Sequence, residues 1–197
     1  MNTAYTLPGC QVTRAVSVLS HPGLIRLVSE IDDNGPIPRY MLTRTLSGLT
    51  RHQIRRAVDT AREHHLVDAE HALDSCYLLT EAGKELADVY DSVARWARAH
   101  NYPATASDFV TRIQETLALL TDRQIRLALS GPGPVPREGT ARELPDAALL
   151  PSAGAAQDLH VPWTALSRWL LAHPHVGSAA AREASGVAAA DEVEPAA

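Results

Sequence analysis

A chain of 197 residues and 21.2 kDa has room for one ordinary domain or two small ones, which excludes a large multidomain enzyme. Its hydrophobic content of 45% is that of a globular protein, but only 5% is aromatic and Phe109 is the sole phenylalanine. The core must therefore be built from Leu, Val, Ile and Ala, a composition that favours helices. The net charge of −5 would argue against a nucleic-acid partner if it were evenly spread. It is not, because Arg39, Arg44, Arg51, Arg55, Arg56 and Arg62 face a single acid, Asp59, within that stretch.

In chain order, Val12, Ala15, Val16 and Leu19 recur at helical spacing. The chain turns at His21-Pro22-Gly23, and Leu24, Ile25, Leu27, Val28 and Ile31 resume the period in a second helix. Asp32-Asp33-Asn34-Gly35-Pro36 ends that helix. After Pro38 a short helix is predicted through Tyr40, Met41, Leu42 and Leu46, closed by a tight turn at Ser47-Gly48. Thr50 is placed as the N-cap of a helix to about His64 that buries Ile54, Val58 and Ala61. Its opposite face carries Arg51, His52, Arg55, Arg56, Asp59 and Arg62. Two extended segments, 66–69 and 76–79, form a small hairpin. Thr80 then caps a long helix with Leu86, Val89, Tyr90, Val93, Trp96 and Ala97 on one side. A further amphipathic helix is expected from Ser107, carrying Phe109, Val110, Ile113, Leu117 and Leu120. The fold class is thus mostly α with a small β-hairpin.

The second half echoes the first. Ile25-Arg26-Leu27 recurs as Ile125-Arg126-Leu127, Gly35-Pro36-Ile37-Pro38-Arg39 as Gly133-Pro134-Val135-Pro136-Arg137, and Arg44-Thr45-Leu46 as Arg142-Glu143-Leu144. Ala94-Arg95-Trp96 with Ala99-His100 is matched by Ser167-Arg168-Trp169 with Ala172-His173. The expected organisation is a first domain over 1–101, a degenerate helical repeat over 102–176, and an Ala-rich disordered tail over 177–197. Chance similarity among Ala-, Leu- and Arg-rich helices is the competing explanation. Between Leu144 and Trp163 the chain is too short and too poor in Arg for a second basic helix with a hairpin.

The helix from Thr50 is the strongest functional candidate. A helix entering the major groove needs donors in its N-terminal half and arginines along its flanks. Arg51 can pair with guanine N7 and O6, Gln53 with adenine N6 and N7, and Arg55 and Arg56 follow one turn on. Arg39 and Arg44 are expected near the phosphate backbone; a merely solvated basic face is the bland alternative. No Gly-rich phosphate loop, spaced nucleophile and base, or paired carboxylates in an apolar setting suggests an enzyme or a cofactor. His64, His65, His71 and Cys76 gather around the hairpin, but their spacing fits no zinc pattern. Two cysteines, no leader-like start and no apolar run of membrane length give the expectation of a cytoplasmic protein with no membrane partner.

At this point residues 10–99 resemble the HxlR family of bacterial winged helix-turn-helix regulators, relatives of the MarR group. The resemblance rests on Cys10 ahead of the first helix, Leu46-Ser47-Gly48-Leu49-Thr50 before the basic helix, Leu66-Val67 after it, and Trp96. The most diagnostic string is Tyr77-Leu78-Leu79-Thr80-Glu81-Ala82-Gly83-Lys84-Glu85-Leu86. The resemblance implies a winged helix-turn-helix regulator that reads double-stranded DNA through Arg39, Arg44, Thr50, Arg51, His52, Gln53, Arg55, Arg56 and Arg62. It also implies homodimers on inverted repeats and, in some relatives, a redox role for a cysteine at the place of Cys10, for which a buried structural thiol is the alternative. Trp96, Trp163 and Trp169 either pack between the halves or line a cavity for a small-molecule effector. This chain departs from the family in its wing, where Asp68 to Asp74 holds three acids and no Lys or Arg. That departure, with the net charge, keeps a second function open: a repurposed winged helix that binds a metabolite or a protein and does not read DNA.

Overall fold

The elements follow from the apolar spacing. The computed structural model describes residues 7–70, 75–122 and 153–177. Helix α1 (Gly9–Leu19) buries Val12, Ala15, Val16 and Leu19, and α2 (Pro22–Asn34) buries Leu24, Ile25, Leu27, Val28 and Ile31. Pro22 stands at the first helical position, where its missing N–H costs nothing, and Gly35 stops α2 with φ 83°. A short strand β1 (Ile37–Pro38), a 3-10 turn (Arg39–Met41) and a single turn of helix α3 (Leu42–Thr45) lead to Gly48, whose φ of 95° suits glycine. Helix α4 (Arg51–Glu63), strands β2 (Val67–Glu70) and β3 (Cys76–Leu79), and the long helix α5 (Glu81–Ala99) follow. After α6 (Phe109–Thr121) the description resumes with α7 (Ala153–Asp158), α8 (His160–Ala172) and a 3-10 turn (Pro174–Gly177).

The described residues are mostly helical with one small antiparallel sheet in the order β1-β3-β2. The predicted hairpin is present, its first strand one residue later than expected, with Val67 opposite Leu79 and Glu70 opposite Cys76. Its partner β1, opposite Tyr77 and Cys76, carries no alternating signature and was not legible from two residues ending in a proline. The expected helix after Pro38 shrinks to a 3-10 turn and four helical residues, and Tyr40, read as part of its apolar pattern, is 77% exposed. Helix α6 starts at Phe109 rather than Ser107. The Asp108 carboxylate accepts from Thr111 N at 3.0 Å, and Phe109 and Val110 stay outside the fully buried set of Ile113, Leu117 and Leu120.

One core runs from Val12 to Val176. Helix α5 lies at its centre, packed against α2, α6 and α8, and α1 packs against α6 and the final 3-10 turn. The buried Tyr90 hydroxyl donates to Leu19 O at 2.7 Å. Arg112 is buried with no carboxylate partner among the described residues. Its guanidinium donates to Ser107 O, Ala97 O, Tyr102 O and Thr105 O at 2.7–3.2 Å, tying the end of α5 to the start of α6. The repeated strings at 125–127, 133–137 and 142–144 and the tail after Gly177 lie outside the described residues. No described helix is long and apolar enough to cross a membrane.

Candidate nucleic-acid interface

Helix α4 is held from below and open above. Ile54, Ala57, Val58 and Ala61 form its buried stripe against α2. Gly23 permits the close approach: a Cβ there would lie 3.0 Å from Ala57 Cβ and 3.3 Å from Gln53 O. Upstream, Arg26 of α2 donates to Ser47 O at 3.1 Å and pins the turn that delivers Thr50.

The N-terminus carries a complete capping box. Thr50 Oγ1 accepts from Gln53 N at 3.2 Å, and Gln53 Oε1 accepts from Thr50 N at 2.8 Å. Sequence reasoning placed Thr50 correctly but offered Gln53 to adenine. Its carbonyl oxygen is engaged in the cap, so a bidentate pairing with N6 and N7 would have to break the box. The signal was present as the Thr-x-x-Gln spacing.

Arg51, His52, Arg55, Arg56 and Arg62 are all exposed, and no described element covers them. Arg55 reaches Asp59 only at 4.0 Å with both side chains largely in solvent, an ion pair too weak to immobilise it. A shallow groove lined by His52, Arg55, Arg56, Asp59, Thr60 and Glu63 runs along the helix. Both acids lie in its C-terminal half, so the positive potential concentrates over the first two turns. Arg39 and Arg44 are exposed as well, and the Arg39 guanidinium lies 5.2 Å from the Tyr77 ring centroid, held over β3. The 77% exposed Tyr40 stands between them in sequence and was missed, because a tyrosine amid apolar residues reads as core.

The other candidates fall elsewhere. Cys10 is exposed in the first turn of α1, and Cys76 is half-buried in β3; both are free thiols. Trp96 and Trp169 are nearly fully buried, and their indole N–H groups are used, Trp96 donating to Ala155 O and Trp169 to Ala82 O, each at 3.0 Å. Trp163 is half-buried. His64, buried at the C-cap of α4, and His65 meet His175, whose ring centroid lies 6.4 and 5.9 Å from theirs. Burial pushes the His64 imidazole below its ordinary value, and His175 and His65 act in the same direction while Glu63 opposes them. His71 lies outside the described residues, and no described group of three His, Cys, Asp or Glu is placed to hold a metal ion. No family model, curated protein or solved structure matches the chain.

Proposed function

We propose that the chain is a DNA-binding transcriptional regulator of winged helix-turn-helix type, with α4 as its major-groove helix. The observation that carries this reading is the five cationic or donor side chains Arg51, His52, Arg55, Arg56 and Arg62, all solvent-facing on a helix whose other face is locked to α2. A free basic face on a rigid, capped helix can meet phosphates and guanine edges without reorganising first. The order helix, helix, strand, short helix, α4, hairpin and long helix supports the winged-helix assignment, with β2 and β3 as the wing.

The wing adds no cations: the side chain of Asp68 is exposed, and Asp59, Arg62, Glu63, His65 and Asp68 line the groove between α4 and β2. Phosphate contact therefore falls to α4 and to the segment bearing Arg39, Tyr40 and Arg44. Selection of duplexes from a random pool by the full chain tests the function. Enrichment of a short motif is expected, and no retention of duplex DNA at low salt overturns it.

A further inference from the structure

The contacts between the two halves are reciprocal. Along α5 and its C-cap, Ala82, Glu85, Trp96 and His100 occur at the same intervals as Ala155, Asp158, Trp169 and His173 across α7, α8 and its C-cap. Each set holds the other. Trp96 donates to Ala155 O and Trp169 donates to Ala82 O, both at 3.0 Å. His100 meets Asp158 at 3.4 Å, and His173 meets Glu85 at 2.9 Å. Each tryptophan leans on its own histidine in the same way, with ring centroids 5.1 and 4.8 Å apart and planes at 43° and 46°. The buried positions follow the same register, Leu86, Val93 and Ala97 against Leu159, Leu166 and Leu170, all fully buried.

A second pair of elements obeys the same exchange. The buried set Val12, Ala15, Val16 and Leu19 of α1 matches Ile113, Thr116, Leu117 and Leu120 of α6 in spacing, and the two helices pack together. Gln11 of α1 donates to Pro174 O after α8 at 3.5 Å, while Arg112, the matching residue of α6, donates to Tyr102 O after α5 at 3.2 Å, one position beyond the counterpart of Pro174. Contact of i with j accompanied by contact of j with i is the signature of an isologous interface, which arises only about a two-fold axis. Unrelated helices packing on α5 would have no reason to return the tryptophan, histidine and carboxylate contacts in one register.

We infer that the chain is an isologous dimer folded into one polypeptide, in which α6, α7 and α8 occupy the place that α1 and α5 of a second copy would fill. The matching register departs from that of the strings upstream, because the second half is shorter by about the length of α4 with its hairpin. The surface that would recruit another copy is therefore closed in cis. The full chain is a monomer that carries one α4, and, resting on the DNA-reading proposal, it occupies a single half-site.

Sedimentation equilibrium of the full chain without DNA tests the first part. A mass of 21.2 kDa up to about 100 µM is expected, and a stable species of twice that mass overturns the inference. Trp96→Phe and Trp169→Phe each remove one of the equivalent indole donors while keeping an aromatic ring. Similar drops in the thermal midpoint are expected, and a drop confined to one of them overturns the equivalence. His100→Gln and His173→Gln give the same comparison at partly exposed positions should either Phe variant fail to fold. On a duplex bearing two inverted copies of a selected motif, independent occupancy is expected and cooperative pairing overturns the single half-site. Failure to bind any duplex would sink the DNA reading while leaving the mass and the paired variants to decide the internal dimer.

Discussion

Replacing Arg51 and Arg55 together with alanine probes the proposed interface most directly. Both side chains are exposed and neither is fixed by a strong partner, so folding stability should change by less than about 0.5 kcal/mol. If each neutralises one phosphate, the slope of log K against log salt becomes shallower by about 1.8, since each contact contributes about 0.9. If Arg51, in the first turn, instead grips a guanine edge, the slope changes by about half that, and discrimination at one base pair falls by about 1–3 kcal/mol. Affinity at fixed salt should drop about 10- to 100-fold in either case. Fluorescence anisotropy on a selected duplex, titrated at several salt concentrations, separates the two. Asp59→Asn provides the opposite sign: it removes the one acid among the arginines and should tighten binding modestly. Unchanged affinity and unchanged slope in the arginine variant would refute the assignment of α4.

Other perturbations test the scaffold. Gly83→Ala would drive a Cβ into the Leu66 carbonyl where α5 meets the end of α4, and should cost about 2–3 kcal/mol in denaturant unfolding; Gly154→Ala, with no atom of the described residues within 4 Å, should be neutral or slightly stabilising. Arg112→Lys keeps the charge but loses the fork that serves four carbonyls, and a loss of about 3 kcal/mol is expected; a loss below about 1 kcal/mol would show that the fork is dispensable. Burial lowers the folded-state pKa of His64 below its ordinary value of 6.5, so the unfolded chain takes up the proton first. The stability tied to its neutral form is present above 6.5 and declines as pH falls from there toward the folded value, and His64→Gln should flatten that part of the stability–pH curve. His21, lowered by burial and then by Arg56, contributes a residual slope of the same sign.

Several particulars were written locally. Thr50 with Gln53, Thr80 with Gly83 N at 3.1 Å, and the turn at His21-Pro22 are interactions within three residues, so side-chain type and spacing are enough to place them. Glycine 83 stands in the string that carried the family resemblance, and its cause is steric: Thr80 N and the helix start close on the same Leu66 carbonyl. Arg112 could not be assigned this way. An arginine at an apolar helix position is recognisable, but its acceptors are carbonyls of the last turn of α5 and of the loop after it, up to fifteen residues away, and only the fold brings them together. Gln53 shows the converse, since the cap was readable but was passed over for a more attractive base contact.

The sequence by itself determined α1, α2, α4, α5 and most of α6, the hairpin and the basic face opposite Ile54, Val58 and Ala61, because amphipathic period and capping are properties of a few consecutive residues. It also hinted at the echo of Trp96 and His100 in Trp169 and His173. The tertiary structure alone decided that α4 is left uncovered among the described elements and that the two tryptophans exchange bonds across the core. Both depend on which buried face meets which, and that choice is made by packing between residues such as Trp169 and Ala82, 87 positions apart.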